Sequence, residues 1–110
     1  MTWHDLDTIH EEWVNAPLDD GVLGELLEVA KGQVIAYAPK SVRAALDVPE
    51  AEVPANLRLA QRRHVENMWN AGRVDTSGGQ GEGDFIVRPH PLDWHVKALI
   101  RPKTAVPRVR

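Results

Sequence analysis

The chain has 110 residues, a formal net charge of −3 and no cysteine, and its hydrophobic fraction of 43% includes four tryptophans but a single Phe and a single Tyr. This length predicts one domain, which must use most of its apolar residues to build a core. The lack of cysteine excludes disulfides and thiolate metal sites. No apolar run approaches the roughly 18 residues that span a bilayer, and the N-terminal MTWHDLDT does not resemble a signal peptide, so we expect an unexported protein without membrane contact.

Two helices are predicted in the first third of the chain. Apolar residues at three- and four-residue spacing predict a short helix over Asp5–Asn15, which the following Ala-Pro pair ends. An aspartate cap and the same spacing predict a longer helix from Asp19 or Asp20 to about Ala38. The glycines of this second helix have two explanations, simple tolerance or the close approach of another backbone, and the sequence leaves both open.

The residues after the second helix are predicted to form a connection. Prolines interrupt regular structure in and beside the segment 39–53. Its one possible short helix or turn covers Ser41–Leu46, with Ser41 as the cap. Within it Val42, Ala45 and Leu46 could cover the end of the core.

The central helix is the clearest feature of the sequence. The stretch PANLRLAQRRHVENMWNAG, Pro54–Gly72, starts with a proline suited to a first helical turn and ends with a glycine suited to a helix terminus. Its predicted buried stripe contains Leu57, Ala60, Gln61, His64, Val65, Met68 and Trp69. Burial of that stripe requires the other helices to pack on it.

Four segments follow the central helix. Arg73–Asp84 has the glycine-rich composition of an exposed loop, and Phe85–Arg88 is a short strand with an edge available to another chain. Pro91–Arg101 is predicted as a last helix, whereas Pro102–Arg110, with two prolines and several cations, is predicted as an extended arm. The predicted fold is therefore mainly α, a small bundle of about four helices with a projecting loop, one strand and an arm.

Charge is unevenly distributed along the chain. Residues 1–53 carry eleven Asp or Glu against three Lys or Arg, whereas residues 54–110 carry five against ten. The subunit has oppositely charged halves, and its strand and tail have no predicted partner within the subunit. Such a subunit can join head to tail with copies of itself, and such heterologous contacts close into rings. We therefore expect the acidic half of one copy to face the basic half of the next.

Two groups of side chains invite a metal or catalytic interpretation. They lie in residues 4–10, HDLDTIH, and residues 90–95, HPLDWH. The histidines in each group are five or six residues apart and do not share a helical face, so we expect solvated or capping histidines and no metal, cofactor or enzyme activity. A small enzyme that uses these histidines remains a third hypothesis.

The basic face of the central helix supports a different hypothesis. Arg58, Arg62, Arg63 and Arg73 could line nucleic-acid phosphates, which would make the chain a small DNA-binding or regulatory protein. No recognition-helix motif accompanies these arginines, and the chain as a whole is acidic. Solvated arginines, or arginines that meet the acidic half of a neighbour, explain the pattern better.

The order of these segments resembles a known family. The short Trp-containing helix, the acidic-capped helix, PANLRLAQRRHVENMWNAG, the glycine-rich loop and FIVRPHPLDWHVKALIRPK are together similar to the head-to-tail connector (adaptor) proteins of long-tailed bacteriophages, especially those encoded after the portal gene in phages of actinobacteria. The resemblance covers nearly the whole chain and is most specific in the central helix and in VRPHPLDWHVKALIRP.

The resemblance implies a virion protein of the neck, assembled in the host bacterial cytoplasm. It implies a helical connector domain over residues 1–101 and an extended arm over 102–110, with twelve copies in a ring between the portal and the next neck or tail-completion protein. Genome DNA would pass through the lumen, close to the ring without sequence-specific contact. Loop and arm would reach into adjacent proteins.

Two residue sets follow from these interpretations. The expected subunit or partner interface contains Arg58, Arg62, Arg63, Arg73, Phe85, Ile86, Val87, Arg88, Val106, Arg108, Val109 and Arg110. The expected core contains Trp13, Leu23, Leu27, Leu57, Val65, Trp69 and Leu99.

Overall fold

The computed structural model describes residues 2–76 and 90–102, and it describes residues 73–76 by their backbone alone. In this part of the chain the protein is mainly helical and has no strand. Its five helices are α1 (Leu6–Glu12), α2 (Asp20–Tyr37), α3 (Lys40–Leu46), α4 (Ala55–Thr76) and α5 (Trp94–Ile100). The mainly α class is confirmed, whereas the strand predicted at 85–88 and the arm residues 103–110 lie outside the described residues.

Helix α1 is shorter than its sequence pattern suggests. Asp5 starts it with a reciprocal cap, since its carboxylate accepts from the Thr8 backbone N–H at 2.9 Å while the Thr8 hydroxyl accepts from the Asp5 N–H at 3.0 Å. The helix ends at Glu12, not at Asn15, because Trp13 already adopts an extended backbone conformation. The chain leaves the helix at Trp13, whose ring packs against the core.

Helix α2 agrees closely with its predicted bounds. The Asp19 carboxylate accepts from the backbone N–H groups of Gly21 and Val22, at 2.9 and 3.3 Å. The helix stops at Tyr37 because Ala38, which precedes a proline, is held in an extended conformation at φ −65° and ψ 151°.

The glycines inside α2 do not mark a close approach of another backbone. A Cβ added at Gly24 or at Gly32 would meet nothing within 4 Å. Of the two explanations, tolerance is therefore the one that fits these two positions, and the close-approach explanation is wrong there.

Replacing Gly32 with Ala is expected to stabilise the protein by about 0.5–1 kcal/mol, because alanine loses less backbone entropy on folding and the site is open. Chemical denaturation would measure this gain. Gly21→Ala is the matched control, since its Cβ would lie 3.2 Å from Asp19 Oδ1 and crowd the cap. A Gly32→Ala protein no more stable than wild type would contradict the prediction.

Helix α3 lies in the predicted connection, but Ser41 does not cap it. The N-cap position is Pro39, which makes no side-chain cap hydrogen bond, and the helix begins at Lys40. Proline's fixed φ suffices to direct the chain into the helix at this point. Val42 and Leu46 pack half-buried against the core as expected, whereas Ala45 is exposed.

Helix α4 begins at Ala55, one residue after the predicted start at Pro54, and it does not stop at Gly72. It continues to Thr76, so the segment expected to begin a loop at Arg73 is helical for its first four residues. A glycine ends a helix only where it turns left-handed, and within a helix it costs only about 1 kcal/mol. The rest of the predicted loop, from Ser77 onward, lies outside the described residues.

The core lies along an antiparallel pair formed by α2 and α4. Towards the start of α2, Leu23 and Leu26 are fully buried in one cluster with Val65 and Met68 of α4. Towards its end, Val34 shares a second cluster with Leu57 and Ala60. Helix α1 adds to the first cluster and α5 to the second.

The predicted core residues divide between the interior and its edge. Leu23, Leu27, Leu57 and Val65 are buried, with at most 4% of their surface exposed. Trp13, Trp69 and Leu99 are only partly buried, and each packs against one of the two clusters.

The N-terminal segment and α5 contact different sides of α4. Arg58 of α4 donates to the Thr2 carbonyl at 3.0 Å, whereas Asn56 donates to the Leu99 carbonyl and Asn67 to the Asp93 carboxylate, at 2.6 and 2.9 Å. Since a helix turns about 100° per residue, Arg58 lies about 160° around α4 from Asn56. The two flanks of the central helix are thus nearly opposite.

Candidate functional site

Two of the predicted interface arginines form ion pairs within the chain. Arg58 Nη1 lies 3.1 Å from Glu12 Oε2, and its side chain is 18% exposed. Arg62 Nε lies 3.0 Å from Glu66 Oε2, and its Nη1 lies 3.6 Å from Glu12 Oε1. Much of the positive charge expected on this helix face is therefore offset by carboxylates of the same molecule.

Arg63 differs from its two neighbours. It is exposed, it lies on the α5 side of α4, and no ion pair of Arg63 occurs in the part of the chain that the structure describes. Arg73 belongs to α4, but its side chain is outside the description. Among the described residues, Arg58 and Arg62 are thus engaged by carboxylates of their own chain whereas Arg63 is not, which leaves the DNA-binding hypothesis without geometric support at Arg58 and Arg62.

The remaining predicted interface residues lie outside the described residues: Phe85, Ile86, Val87, Arg88, Val106, Arg108, Val109 and Arg110.

The histidine groups do not assemble into a metal site. Among the described residues, no group of three or more His, Asp or Glu side chains is arranged to hold a metal ion. His10, His90 and His95 are exposed, and His10 pairs with Asp20 at 3.3 Å. Asp93 caps α5 by accepting from the Val96 N–H at 2.8 Å.

His4 departs from the expectation of solvated or capping histidines. Its side chain is 1% exposed, with Nδ1 3.0 Å from the Thr8 hydroxyl and Nε2 3.5 Å from Glu12. Burial, followed by the nearby Arg58 charge, lowers the pKa of His4. His4 is therefore a structural group between α1 and α4, and the sequence carried no periodic signal that would have placed it there.

A polar network that starts at the buried His64 links α2, α4 and the residues before α5. His64 is fully buried, and its Nε2 lies 2.8 Å from Gln33 Oε1. The Gln33 amide nitrogen in turn donates to the His90 carbonyl at 2.9 Å. Because Gln33 Oε1 can only accept, His64 Nε2 carries the proton of the neutral ring, and Nδ1 is buried without a hydrogen-bond partner.

A groove of about 450 Å³ separates the exposed flanks of α4 and α5. Its lining residues are Leu59, Arg63, Asn67, Asp93, His95, Val96, Ala98 and Leu99. Trp94, which is 72% exposed, stacks on His95 at a centroid distance of 4.0 Å and so extends the rim. A large exposed aromatic beside a partly apolar groove is typical of a protein interaction surface.

The loop between α1 and α2 carries a second apolar feature. Val14 is 90% exposed and Leu18 is 93% exposed, whereas Ala16 and Pro17 between them are buried. Neither exposed residue could be predicted from periodicity, because both fall outside the stripes of the two flanking helices. The only indication of this feature in the sequence is that two apolar residues lie close to the Ala-Pro pair that follows α1.

The fold and these surfaces define a small, mainly helical domain with exposed apolar features at the α1–α2 loop and beside α5. None of the helices in the described part is long and apolar enough to cross a membrane. Comparison of the chain with models of protein families, with curated proteins and with solved structures finds no match in any of the three.

Proposed function

We propose that this protein is a head-to-tail connector of a tailed bacteriophage, a structural virion protein without enzyme activity. It forms a ring between the portal and the next neck or tail protein, and genome DNA passes through the lumen. The sequence resemblance suggests the family, and the observation that carries the proposal structurally is the exposure of Trp94 within the VRPHPLDWHVKALIRP stretch.

The position of Trp94 suits a contact with another protein. The Asp93 carboxylate caps the start of α5, and the Asn67 side chain of α4 donates a hydrogen bond to the same carboxylate. The backbone that carries the Trp94 side chain is therefore held in place. Tryptophan is enriched among residues that dominate binding energy, and a pre-organised side chain loses little entropy on binding. Leaving most of such a side chain in water is unfavourable in a monomer.

The finer features of the proposal concern residues beyond the described part. The glycine-rich segment that follows Thr76 is a projecting loop, Phe85–Arg88 adds a strand to a neighbouring protein, and residues 102–110 form an arm along the portal or neck. Twelve copies complete the ring, in the virion neck. The prolines of the arm and the unpaired edge of a lone strand support these assignments.

The proposal is tested by mixing the purified protein with a portal assembly encoded in the same genome and imaging the product. Wild type is expected to add a ring to the portal, whereas Trp94→Ser should remain folded and bind at least tenfold more weakly. Val48→Ser, at another exposed apolar residue (53% exposed), is the matched control and should assemble normally. The proposal fails if wild type does not bind the portal.

A further inference from the structure

We propose that the α1–α2 loop of one copy inserts Val14 and Leu18 into the α4–α5 groove of a second copy. This contact rests on the proposed function, because a ring supplies a second copy in a repeated head-to-tail orientation. It specifies which two surfaces join neighbouring subunits, and both surfaces consist of described residues.

The loop is built to present its two apolar side chains rigidly. Ala16 and Pro17 are buried, so the centre of the loop is fixed to the body. The Ala16 N–H donates to the Trp13 carbonyl at 3.1 Å, which closes a turn within the loop. Val14 and Leu18, on either side of this anchor, are 90% and 93% exposed. An anchored loop that exposes two aliphatic side chains binds with little ordering cost.

The groove offers a site of suitable size and character. Its volume of about 450 Å³ lies within the roughly 300–1,000 Å³ of ligand-sized pockets. Leu59, Ala98 and Leu99 supply apolar surface on its two walls, and Leu59 is 37% exposed. Aliphatic side chains from another molecule would remove this surface from water.

The charges at the two surfaces are complementary. Residues 11–20 contain four Asp or Glu and no Lys or Arg. In the groove, Asp93 is already engaged by Asn67 and by the cap of α5, whereas Arg63 is exposed and no ion pair offsets it among the described residues. Arg63 is thus placed to meet an acidic residue beside the incoming loop, such as Glu11.

The two surfaces belong to different flanks of the molecule. The N-terminal segment that leads into α1 contacts α4 at Arg58, and the groove lies on the side of Asn67, where α5 packs. A copy cannot close this contact on itself without unpacking, but successive copies can repeat it. Repetition of one heterologous contact gives a ring when its rotation closes.

The contact is tested directly by disulfide trapping, which is clean because the chain has no cysteine. Two single variants of the full chain, Leu18→Cys and Ala98→Cys, are mixed under oxidising conditions. Their heterodimer is expected to form at least fivefold faster than that of Leu18→Cys with Ser41→Cys, a control at an exposed position on α3. Equal rates in the two mixtures would overturn the contact.

A second experiment separates this inference from the proposed function. The double variant Val14→Ser and Leu18→Ser alters exposed positions and should keep the melting temperature of wild type, but lose ring formation on the portal. If the double variant still forms rings, the contact is wrong and the connector proposal stands. If the Leu18–Ala98 heterodimer forms but wild type does not bind a portal, the contact stands and the connector proposal fails.

Discussion

Lowering the pH from 7 to 4 is expected to remove roughly 3 kcal/mol of stability through His64 alone. Burial lowers the pKa of His64 to about 4, an effect to which the nearby His90 adds and which the Asp93 carboxylate partly opposes. An unfolded histidine binds a proton near pH 6.5, so between pH 6.5 and 4 the unfolded state gains protons that the folded state does not. The stability that depends on neutral His64 is therefore present above about pH 6.5 and is lost as the pH falls towards 4.

The network around His64 explains why protonation is unfavourable. The ring already donates from Nε2 to Gln33, so a second proton must go to Nδ1, which has no partner in the core. Burial of the resulting charge is the main cost, which the His90 carbonyl and the Asp93 carboxylate offset only in part. Gln33 is itself fixed by its bond to the His90 carbonyl and cannot turn without breaking that bond.

The measurement is urea denaturation at several pH values, with His64→Gln as the matched variant. Glutamine can place its amide nitrogen near the position of Nε2 and keep the bond to Gln33, but it does not titrate. Wild type should lose roughly 3 kcal/mol more than the variant between pH 7 and 4, and the comparison cancels most of the His4 contribution, which acts in the same direction. Parallel stability curves for the two proteins would contradict this account.

The sequence could predict which residues of the central helix are buried, because helical periodicity is a local property. The spacing placed Gln61 and His64 on the buried stripe despite their polarity, and both are at most 1% exposed. The starts of α1 and α2 were also predictable, because Asp5 and Asp19 are caps whose chemistry lies within a few residues. The start of the last helix was predicted wrongly: α5 begins at Trp94 after the Asp93 cap and not at Pro91, because a capping aspartate, rather than a proline suited to a first turn, fixes this start.

Features that depend on tertiary contacts could not be predicted in the same way. The helical wheel places Arg58 and Arg62 away from the stripe, but it cannot show that α1 brings Glu12 to them. The groove is equally nonlocal, since its walls come from segments about 35 residues apart. Gly72 shows a further limit, because a glycine permits a helix to end without requiring it.

The second large effect is expected at Gln61, which fastens the N-terminal segment to the helix pair. Its Oε1 accepts from the His4 backbone N–H at 2.8 Å, and its amide nitrogen donates to the Leu27 carbonyl at 3.2 Å. All three groups lie in the interior, and Gln61 is 1% exposed. One side chain thus connects three segments that are far apart in the sequence.

Gln61→Leu is expected to lower the free energy of unfolding by about 2–4 kcal/mol. Leucine keeps most of the volume, so little of this loss comes from a cavity. The cost arises because the buried His4 N–H is left without an acceptor, about 1–3 kcal/mol, and because the bond to the Leu27 carbonyl is lost. Urea denaturation at pH 7.5 measures the change.

Asn70→Leu provides the matched control, because it makes the same amide-to-aliphatic change on the same helix at an exposed position. It should alter stability by no more than about 0.5 kcal/mol. Amide hydrogen exchange distinguishes a local effect from a global one: in Gln61→Leu the His4 N–H should exchange faster than the decrease in global stability alone explains. If Gln61→Leu is as stable as the Asn70→Leu control, the His4 N–H has found another acceptor, and Gln61 does not hold the N-terminal segment in place.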